Sequence, residues 1–254
     1  MAHHDDEQQG QVLSRREVLA SLGALGAAAF LPHGAMPVRQ LGRRILLPGG
    51  VPLPGCIVRP AQTEGPYFVD ENLNRTDIRN DPVDGKLSEG PILRLQFRVS
   101  TLDGAACAPL AGAVVDVWQC DALGVYSDVK DFQGRFDTTG KKFLRGHQVT
   151  GTDGVASFVT VYPGHYSGRT VHIHFKIRTD PASSRGMEFT SQLYFDDAFS
   201  DGVFKHPAYA GNRQRRTRNS GDGIFRQGGQ ELMLDVQEDG MGYRTSFDLA
   251  LKPG

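Results

Sequence analysis

The sequence predicts an all-β protein, an antiparallel β-sandwich whose long loops form the functional site. Three observations lead to this prediction. Short apolar stretches alternate with polar residues at a period of two, as half-buried strands do. The 31 glycines and 14 prolines supply frequent turns. Beyond the N-terminal region, no long apolar stretch repeats at the helical period.

The first 55 residues are expected to lie outside this sandwich. Arg15 and Arg16 precede a moderately apolar run from Val18 to Leu31, so residues 1–36 resemble a twin-arginine export signal. The alternative is a short N-terminal core helix. The run is too short and too weakly apolar to predict a membrane span. Residues 37–55, punctuated by Gly and Pro, are interpreted as a linker or N-terminal arm, and residues 56–254 as one β-sandwich domain of an exported protein.

Five strands are predicted within residues 56–254. The clearest covers residues 93–99, where four apolar side chains alternate with Arg94, Gln96 and Arg98. The others cover residues 113–119, 155–161, 170–177 and 243–251. Turn sequences such as Asp103-Gly104 and Pro163-Gly164 separate them. This spacing is typical of a sandwich.

The three cysteines favour one disulfide, because an exported protein folds in or reaches an oxidising compartment. Cys107 and Cys120 flank the predicted strand 113–119, which would hold them about 20 Å apart, too far to bridge. The sequence does not determine the pairing, and Cys56 with Cys107 is the pair that we prefer.

The overall charge argues against a general affinity for polyanions. The formal net charge is −1 and the pI is about 6.7, so the whole molecule does not attract nucleic acid or acidic membranes. The run Asn212–Ser220 contains four arginines in nine residues but no interleaved aromatic residue. It is interpreted as a solvated loop. Two alternatives remain: the run could contact the neighbouring subunit of a homodimer, or it could bind a carboxylated ligand.

Residues 170–177 carry the most informative pattern. His172, His174 and Lys176 share one face of this strand, while apolar residues at 171, 173, 175 and 177 form the other face. Two residues of strand rise place the Cα atoms of the two histidines about 6.5–7 Å apart, which lets both imidazoles reach one metal ion. The pattern predicts a metal site. The alternative is a histidine pair that is hydrogen-bonded within a polar sheet face.

Two tyrosines make a ferric site the preferred interpretation. Tyr166 precedes His172 by six residues on a Pro-Gly turn, and Tyr126 follows a predicted strand directly. Phenolate oxygens are hard ligands that suit Fe(III). A bound cation lowers the pKa of a phenol from its usual value of about 10, so both tyrosines can bind as phenolates at neutral pH.

The ordered motifs of the chain resemble the intradiol ring-cleavage dioxygenases, the family of the protocatechuate 3,4-dioxygenases and catechol 1,2-dioxygenases. Each motif alone is short and weak evidence. The ordered set of motifs, together with the two tyrosines and two histidines in this order, is specific to the family. The motifs are residues 63–68 (TEGPYF), 109–112 (PLAG), 117–127 (VWQCDALGVYS), 143–148 (FLRGHQ), 163–166 (PGHY), 169–174 (RTVHIH) and 190–195 (TSQLYF).

The resemblance implies a non-haem Fe(III) enzyme whose substrates are a small aromatic diol and O₂. By position in the motifs, the iron ligands are Tyr126, Tyr166, His172 and His174. Tyr166 is the ligand implied to leave when a catechol binds. The reaction implied is cleavage of the ring between the two hydroxyl-bearing carbons to a muconate-type dicarboxylate.

The resemblance also implies residues around the substrate. Arg169 would place a cation next to the ring carbon where negative charge develops, and Gln192 would hydrogen-bond nearby. Gly65, Pro66 and Leu123, together with Arg169, are the candidate pocket walls. The loop between Tyr166 and Arg169 is shorter than in the better-known members, which predicts a more open pocket. With export, this favours extracellular aromatics such as lignin-derived catechols.

Two other classes of protein remain as alternatives. The turn and strand motifs also resemble non-enzymatic, transthyretin-like β-sandwich modules, which need no tyrosine and histidine cluster. The second alternative is a different metalloenzyme, in which Asp196 or Asp197 joins His172 and His174 around Fe(II) or Zn(II) as a facial triad.

Overall fold

The computed structural model describes residues 56–103, 106–180 and 186–252. The predicted export signal and arm, residues 1–55, lie outside the described residues. Within the described part, nine strands form two sheets. They are β1 Ile92–Asp103, β2 Ala106–Pro109, β3 Val114–Trp118, β4 Arg145–Val149, β5 Val155–Val161, β6 His172–Arg178, β7 Glu188–Tyr194, β8 Gln237–Asp239 and β9 Gly242–Leu251.

The first sheet has the order β2-β1-β9-β8, with β5 paired to β1 on the side of β2. The second sheet has the order β4-β3-β6-β7. Among the described strands, all pairs are antiparallel except β1 and β9, which run parallel from the pair Leu93 and Tyr243 to the pair Thr101 and Leu251. Parallel neighbours require a long crossover. Here the whole second sheet lies between β1 and β9 in the chain.

Aromatic and aliphatic side chains from the inner faces of the two sheets form the core. Phe97 of β1 and Phe247 of β9 contact Phe175 of β6, with ring centroids 5.2 and 5.6 Å apart. All three rings are buried. These contacts join the sheets face to face, and the prediction of an all-β sandwich is confirmed.

The five predicted strands correspond to β1, β3, β5, β6 and β9, while β2, β4, β7 and β8 were not predicted. Two of the missed strands have only four and three residues. β4 reads RGHQV and shows almost no apolar alternation. β7 places Ser191 and Gln192 in buried positions, so its sequence lacks a clear apolar face.

Within the residues that the structure describes, helical structure is confined to the long segment between β7 and β8. Helix α1, Asp197–Val203, begins after Asp196, whose side chain accepts a hydrogen bond from the backbone N–H of Phe199. Short 3-10 turns follow at Pro207–Tyr209, Asn219–Gly221 and Gly229–Leu232. Among the described helices, none has the length and apolar character needed to cross a membrane.

A disulfide ties the start of the described chain to β2. Cys56 and Cys107 are bonded, with Cα atoms 5.9 Å apart, and Cys120 is free and buried. The preferred pairing from the sequence is therefore confirmed. Ile57 continues this attachment, because its carbonyl accepts a hydrogen bond from the backbone N–H of Ala250 in β9.

Removing this disulfide is expected to lower the free energy of unfolding by about 4 kcal/mol, because the bond closes a loop spanning 51 residues. Urea unfolding of the Cys56→Ala/Cys107→Ala protein measures the loss. Dithiothreitol should destabilise the wild type by a similar amount and leave the double variant unchanged. A loss below about 1 kcal/mol in both tests would contradict the entropic role of the bond.

Candidate metal centre

Strand β6 sets the positions of both histidines. In the registers with β3 and β7, His174 stands opposite Trp118 on one side and Gln192 on the other. Residues that are directly opposite in a sheet point to the same face. The Trp118 ring stacks on the His174 ring, with centroids 5.0 Å apart and planes 9° apart. The imidazole is thereby held in one orientation.

Two loops bring the tyrosines to the same face. Tyr126 lies in the loop after β3, and Tyr166 lies in the loop between β5 and β6. Gly124, with φ +81°, is where these loops meet, and an added Cβ there would lie 2.4 Å from the carbonyl oxygen of His165. Only glycine permits this approach, so the Leu-Gly-Val-Tyr sequence allows the two phenols to meet.

Four donor atoms converge at this point. The Nε2 atom of His172 lies 3.0 Å from Nε2 of His174, 3.2 Å from Oη of Tyr166 and 3.4 Å from Oη of Tyr126. These four residues are the candidate ligands from the sequence, and the structure brings all of them together. A single imidazole lone pair cannot accept from several such neighbours in good geometry. A cation among the four atoms would satisfy them together.

The donor set fits a first-row metal ion. Two ligands on a metal with bonds of about 2.0–2.1 Å lie about 2.9–3.4 Å apart for angles between square and tetrahedral. Nδ1 of His172 lies 2.6 Å from the backbone carbonyl of Thr170. The carbonyl only accepts, so Nδ1 carries the proton and Nε2 presents a free lone pair to the site.

The electrostatic environment favours the neutral forms of all four side chains in the absence of a cation. Burial and the charge of Arg169 hold the pKa of His172 well below its usual value, and burial with His172 does the same for His174. Burial raises the pKa of Tyr166 to about 12, although the charge of Arg169 acts in the opposite direction. Burial and the neighbouring Tyr166 raise the pKa of Tyr126 well above 10. The imidazoles are therefore neutral, and a bound cation is what would make the phenols ionise.

Arg169 reaches the cluster from the side of β7. Its Nη1 lies 3.5 Å from Nε2 of His172, its Nη2 donates to Oε1 of Gln192, and its Nε donates to Oδ2 of Asp222 at 2.9 Å. The Gln192 amide then donates to the carbonyl of Thr63 at 2.8 Å. The structure thus brings both Arg169 and Gln192 to the four candidate ligands.

The candidate pocket walls occupy two loops at the surface. Gly65 lies against His174, while Pro66 is exposed and Leu123 retains 44% exposure. An ion pair between Glu64 and Lys176 of β6 holds the loop that carries Gly65 onto the sheet. Gly65 therefore borders the cluster directly, and a wall role for Pro66 and Leu123 stays a prediction.

Gly65→Ala is expected to weaken metal binding. Gly65 has φ +75°, and an added Cβ would lie 3.2 Å from Cε1 of His174, so the ring must shift. Gly85→Ala is the matched control, because Gly85 has φ +72° and no heavy atom within 4 Å of an added Cβ. Both variants should lose about 1–2 kcal/mol of stability through backbone strain. Only Gly65→Ala should lower the metal content after dialysis, and equal metal content in the two variants would contradict the contact.

The arginine-rich run Asn212–Ser220 braces the site loops within the same chain. Gln214 accepts a hydrogen bond from the backbone N–H of Ser167, and Thr217 accepts one from Gly168. Arg216 and Arg218 pair with Asp201 of α1. The run is thus a surface loop in which Arg213, Arg215 and Arg218 are exposed, while Gln214 and Thr217 are half-buried against the loop that carries Tyr166.

Three features near the cluster were missing from the sequence-based site. Trp118 was quoted as part of a motif but was given no role. The Tyr67 ring stacks on Tyr126 with centroids 4.7 Å apart, and its hydroxyl donates to Asp131 at 2.6 Å. Asp222 follows the arginine-rich run in a sequence with no recognisable motif. The available signal for Trp118 was a single tryptophan at the end of a strand. The available signal for Tyr67 was its place in a Gly-Pro-Tyr turn.

The facial-triad alternative has no geometric support in the described residues. Asp196 caps α1, and Asp197 accepts a hydrogen bond from the backbone N–H of Asn219. Across the described ranges, no group of three or more His, Cys, Asp or Glu side chains is placed to hold a metal ion. The side chains that join His172 and His174 are the two tyrosines.

Comparison with known proteins gives a consistent family assignment. The family model described as "Dioxygenase" matches residues 63–252. The chain is 29% identical over 167 residues to a protein named catechol 1,2-dioxygenase 1 from Acinetobacter lwoffii, covering 54% of this chain and 49% of that protein. The chain therefore spans about half the length of the curated relatives that it matches.

Solved structures match over a larger share of their length. An intradiol ring-cleavage dioxygenase from Tetranychus urticae has a TM-score of 0.65 and 30% identity, over 78% of this chain and 96% of that chain. The dioxygenase domain of a carbohydrate-binding fusion protein from Streptomyces sp. SirexAA-E has a TM-score of 0.54 and 30% identity, over 78% of this chain and 100% of that domain.

Proposed function

This chain belongs to the intradiol dioxygenase family, and we propose that it is an Fe(III)-dependent enzyme that uses O₂ to open a catechol-type ring. The ring would break between its two hydroxyl-bearing carbons to give a muconate-type dicarboxylate. The observation that carries the proposal is that two phenol oxygens and Nε2 of His174 all lie within 3.0–3.4 Å of Nε2 of His172.

The four candidate ligands suit a ferric ion by their charge as well as by the distances between their atoms. Tyr126 and Tyr166 would contribute two negative charges, and His172 and His174 are neutral, so the trivalent ion is left with a reduced net charge in a buried site. Bound there, Fe(III) supplies Lewis-acid and electron-transfer chemistry that makes a chelated catecholate ring reactive toward O₂.

Tyr166 is the residue that we propose gives way to the substrate. It retains 8% exposure, whereas Tyr126 retains 1% and lies beneath the Tyr67 ring. The high intrinsic pKa of Tyr166, about 12, makes its phenolate oxygen a good acceptor for a catechol proton once it is released. Tyr126, stacked and enclosed, would stay in place throughout.

Arg169 and Gln192 would act on the bound ring. The guanidinium places a fixed positive charge at 3.5 Å from Nε2 of His172, where it would be next to a ring held at the four candidate ligands. Negative charge that develops on the ring carbon would be stabilised there without reorganisation of the side chain. Gln192 holds the guanidinium of Arg169 in this orientation by accepting a hydrogen bond from its Nη2.

Substrate class is proposed from the openness of the site. Gly65, Pro66 and Leu123 border it on loops that reach the surface. We propose catechols that bear ring substituents, including lignin-derived ones, as substrates beside catechol itself. Relatives named catechol and chlorocatechol 1,2-dioxygenase make catechol the first compound to test. Oxygen uptake with catechol, hydroxyquinol and protocatechuate would rank the ring substituents.

We also propose export by a twin-arginine-type signal in residues 1–36. The Cys56–Cys107 disulfide supports this, because such bonds persist in oxidising compartments. Cell fractionation of the wild type and of an Arg15→Lys/Arg16→Lys variant tests it. Equal distribution of the two proteins would reject the proposal.

The visible absorption spectrum of the purified protein, with metal analysis, tests the proposed function. A broad phenolate-to-Fe(III) band that shifts when catechol is added without oxygen is expected, and admission of oxygen should consume the catechol. A protein that remains colourless and free of iron after reconstitution would reject the ferric enzyme and favour a binding module.

A further inference from the structure

Asp222 is a buried carboxylate next to the metal centre, with no exposed surface. Its Oδ2 accepts hydrogen bonds from Nε of Arg169 and from the backbone N–H of Thr170, both at 2.9 Å. Its Oδ1 accepts from the backbone N–H groups of Ile224 and Phe225 at 2.8 and 3.2 Å. Four donors therefore hold this carboxylate in one orientation.

The carboxylate orients the guanidinium of Arg169. Because Nε is occupied by Asp222, Nη2 is directed to Gln192 and Nη1 to His172. The guanidinium is planar, so fixing Nε and Nη2 fixes the direction of Nη1. Without Asp222, the side chain of Arg169 would be free to rotate away from the ligands.

The same oxygen also supports His172 through the backbone. Asp222 binds the N–H of Thr170, and the carbonyl of Thr170 accepts the Nδ1–H of His172 at 2.6 Å. The hydroxyl of Thr170 donates to Asn219, three residues before Asp222. The segment that begins at Asn219 is thus attached to the strand entry at two points.

We propose that Asp222 is a positioning residue that holds Arg169 and the carbonyl behind His172 in their working orientations. The inference rests on the proposed ring-cleavage function and deepens it. The hydrogen bonds of Asp222 go to Arg169, Thr170, Ile224 and Phe225 and to no candidate ligand atom, so it would act through Arg169 and Thr170. Residues that support metal ligands in this way typically change activity by about 10- to 100-fold when they are replaced.

Asp222→Asn tests the proposal, because the amide keeps the size of the side chain but places a donor where one oxygen accepts two hydrogen bonds. We expect kcat for catechol to fall about 10- to 100-fold with little change in KM. In a double-mutant cycle, Asp222→Asn should cost less in the Arg169→Gln background than in the wild type, because only its support of His172 through Thr170 is then left to lose. A crystal structure of the iron-free variant should show that Arg169 has left Gln192.

Asp248→Asn is the matched control, because Asp248 pairs with Arg98 in the first sheet at 2.6 Å, away from the site. It should keep wild-type kcat. If Asp222→Asn fails to fold, Asp222→Glu retains the charge and displaces the guanidinium, and should also lower kcat.

Three results would overturn the positioning role. They are an activity of the folded variant equal to that of Asp248→Asn, full additivity with Arg169→Gln, or an Arg169 that stays on Gln192 in the iron-free crystal structure. An inactive wild type would reject the proposed function instead, while the crystal structure would still decide whether Asp222 orients Arg169.

Discussion

Tyr126→Phe should leave a folded protein with a lower iron content, a weaker phenolate-to-Fe(III) absorption and a ring-cleavage activity lowered by more than about 100-fold. The loss should exceed the range typical of residues that only support ligands, because a charged ligand itself is removed. Tyr126 retains 1% exposure and its ring is held under Tyr67, so the phenylalanine ring should occupy the same space. The visible spectrum, iron content and oxygen uptake measure the three losses.

Tyr162→Phe is the matched control for this experiment. Tyr162 is equally buried, but its hydroxyl bonds Ser200 at 2.7 Å rather than the cluster. Its replacement should cost about 1 kcal/mol of stability and leave iron content and spectrum unchanged. If the two variants keep the same iron content and activity, Tyr126 is not a ligand.

Arg169→Gln should lower kcat by about 100- to 1,000-fold, the loss typical of removing one preorganised charge-stabilising donor. Iron should remain bound, because a guanidinium carries only donors and cannot ligate a metal. Arg169 also lowers the pKa of Tyr166, against the larger effect of burial, so its removal should make that phenol harder to ionise. Steady-state kinetics and metal analysis on the same preparation separate the two effects.

Arg98→Gln provides the comparison, since it removes an arginine that is paired to Asp248 in the first sheet. It should retain wild-type kcat. Loss of iron from Arg169→Gln would show that the residue maintains the metal site, and unchanged kcat would exclude it from the chemistry.

Local sequence patterns predicted the histidine strand because strand geometry is itself local. The alternation of His172 and His174 with apolar residues requires them to share one face, and β6 places them so. The all-β class followed from the same period-two alternation, and it is confirmed.

Other parts of the fold have no local pattern. β4 and β7 present polar residues at buried positions, because the loops of the site cover one face of the second sheet. The parallel pairing of β1 with β9 joins strands from opposite ends of the described domain. Pairing at that separation depends on how the sheets pack, and strand periodicity does not encode it.

The features of the candidate site also fall into those that follow from local sequence and those that depend on the tertiary structure. The sequence by itself determined the all-β class, the shared face of His172 and His174, and the motif order that singled out Tyr126 and Tyr166. Only the tertiary structure decided that the four donor atoms meet, that Trp118 stacks on His174, and which carboxylate holds Arg169. Arg169 and Asp222 are 53 residues apart, with no repeat or motif between them to signal contact. A short-range period fixes which way a side chain points, whereas the partner it meets depends on the path of the whole chain.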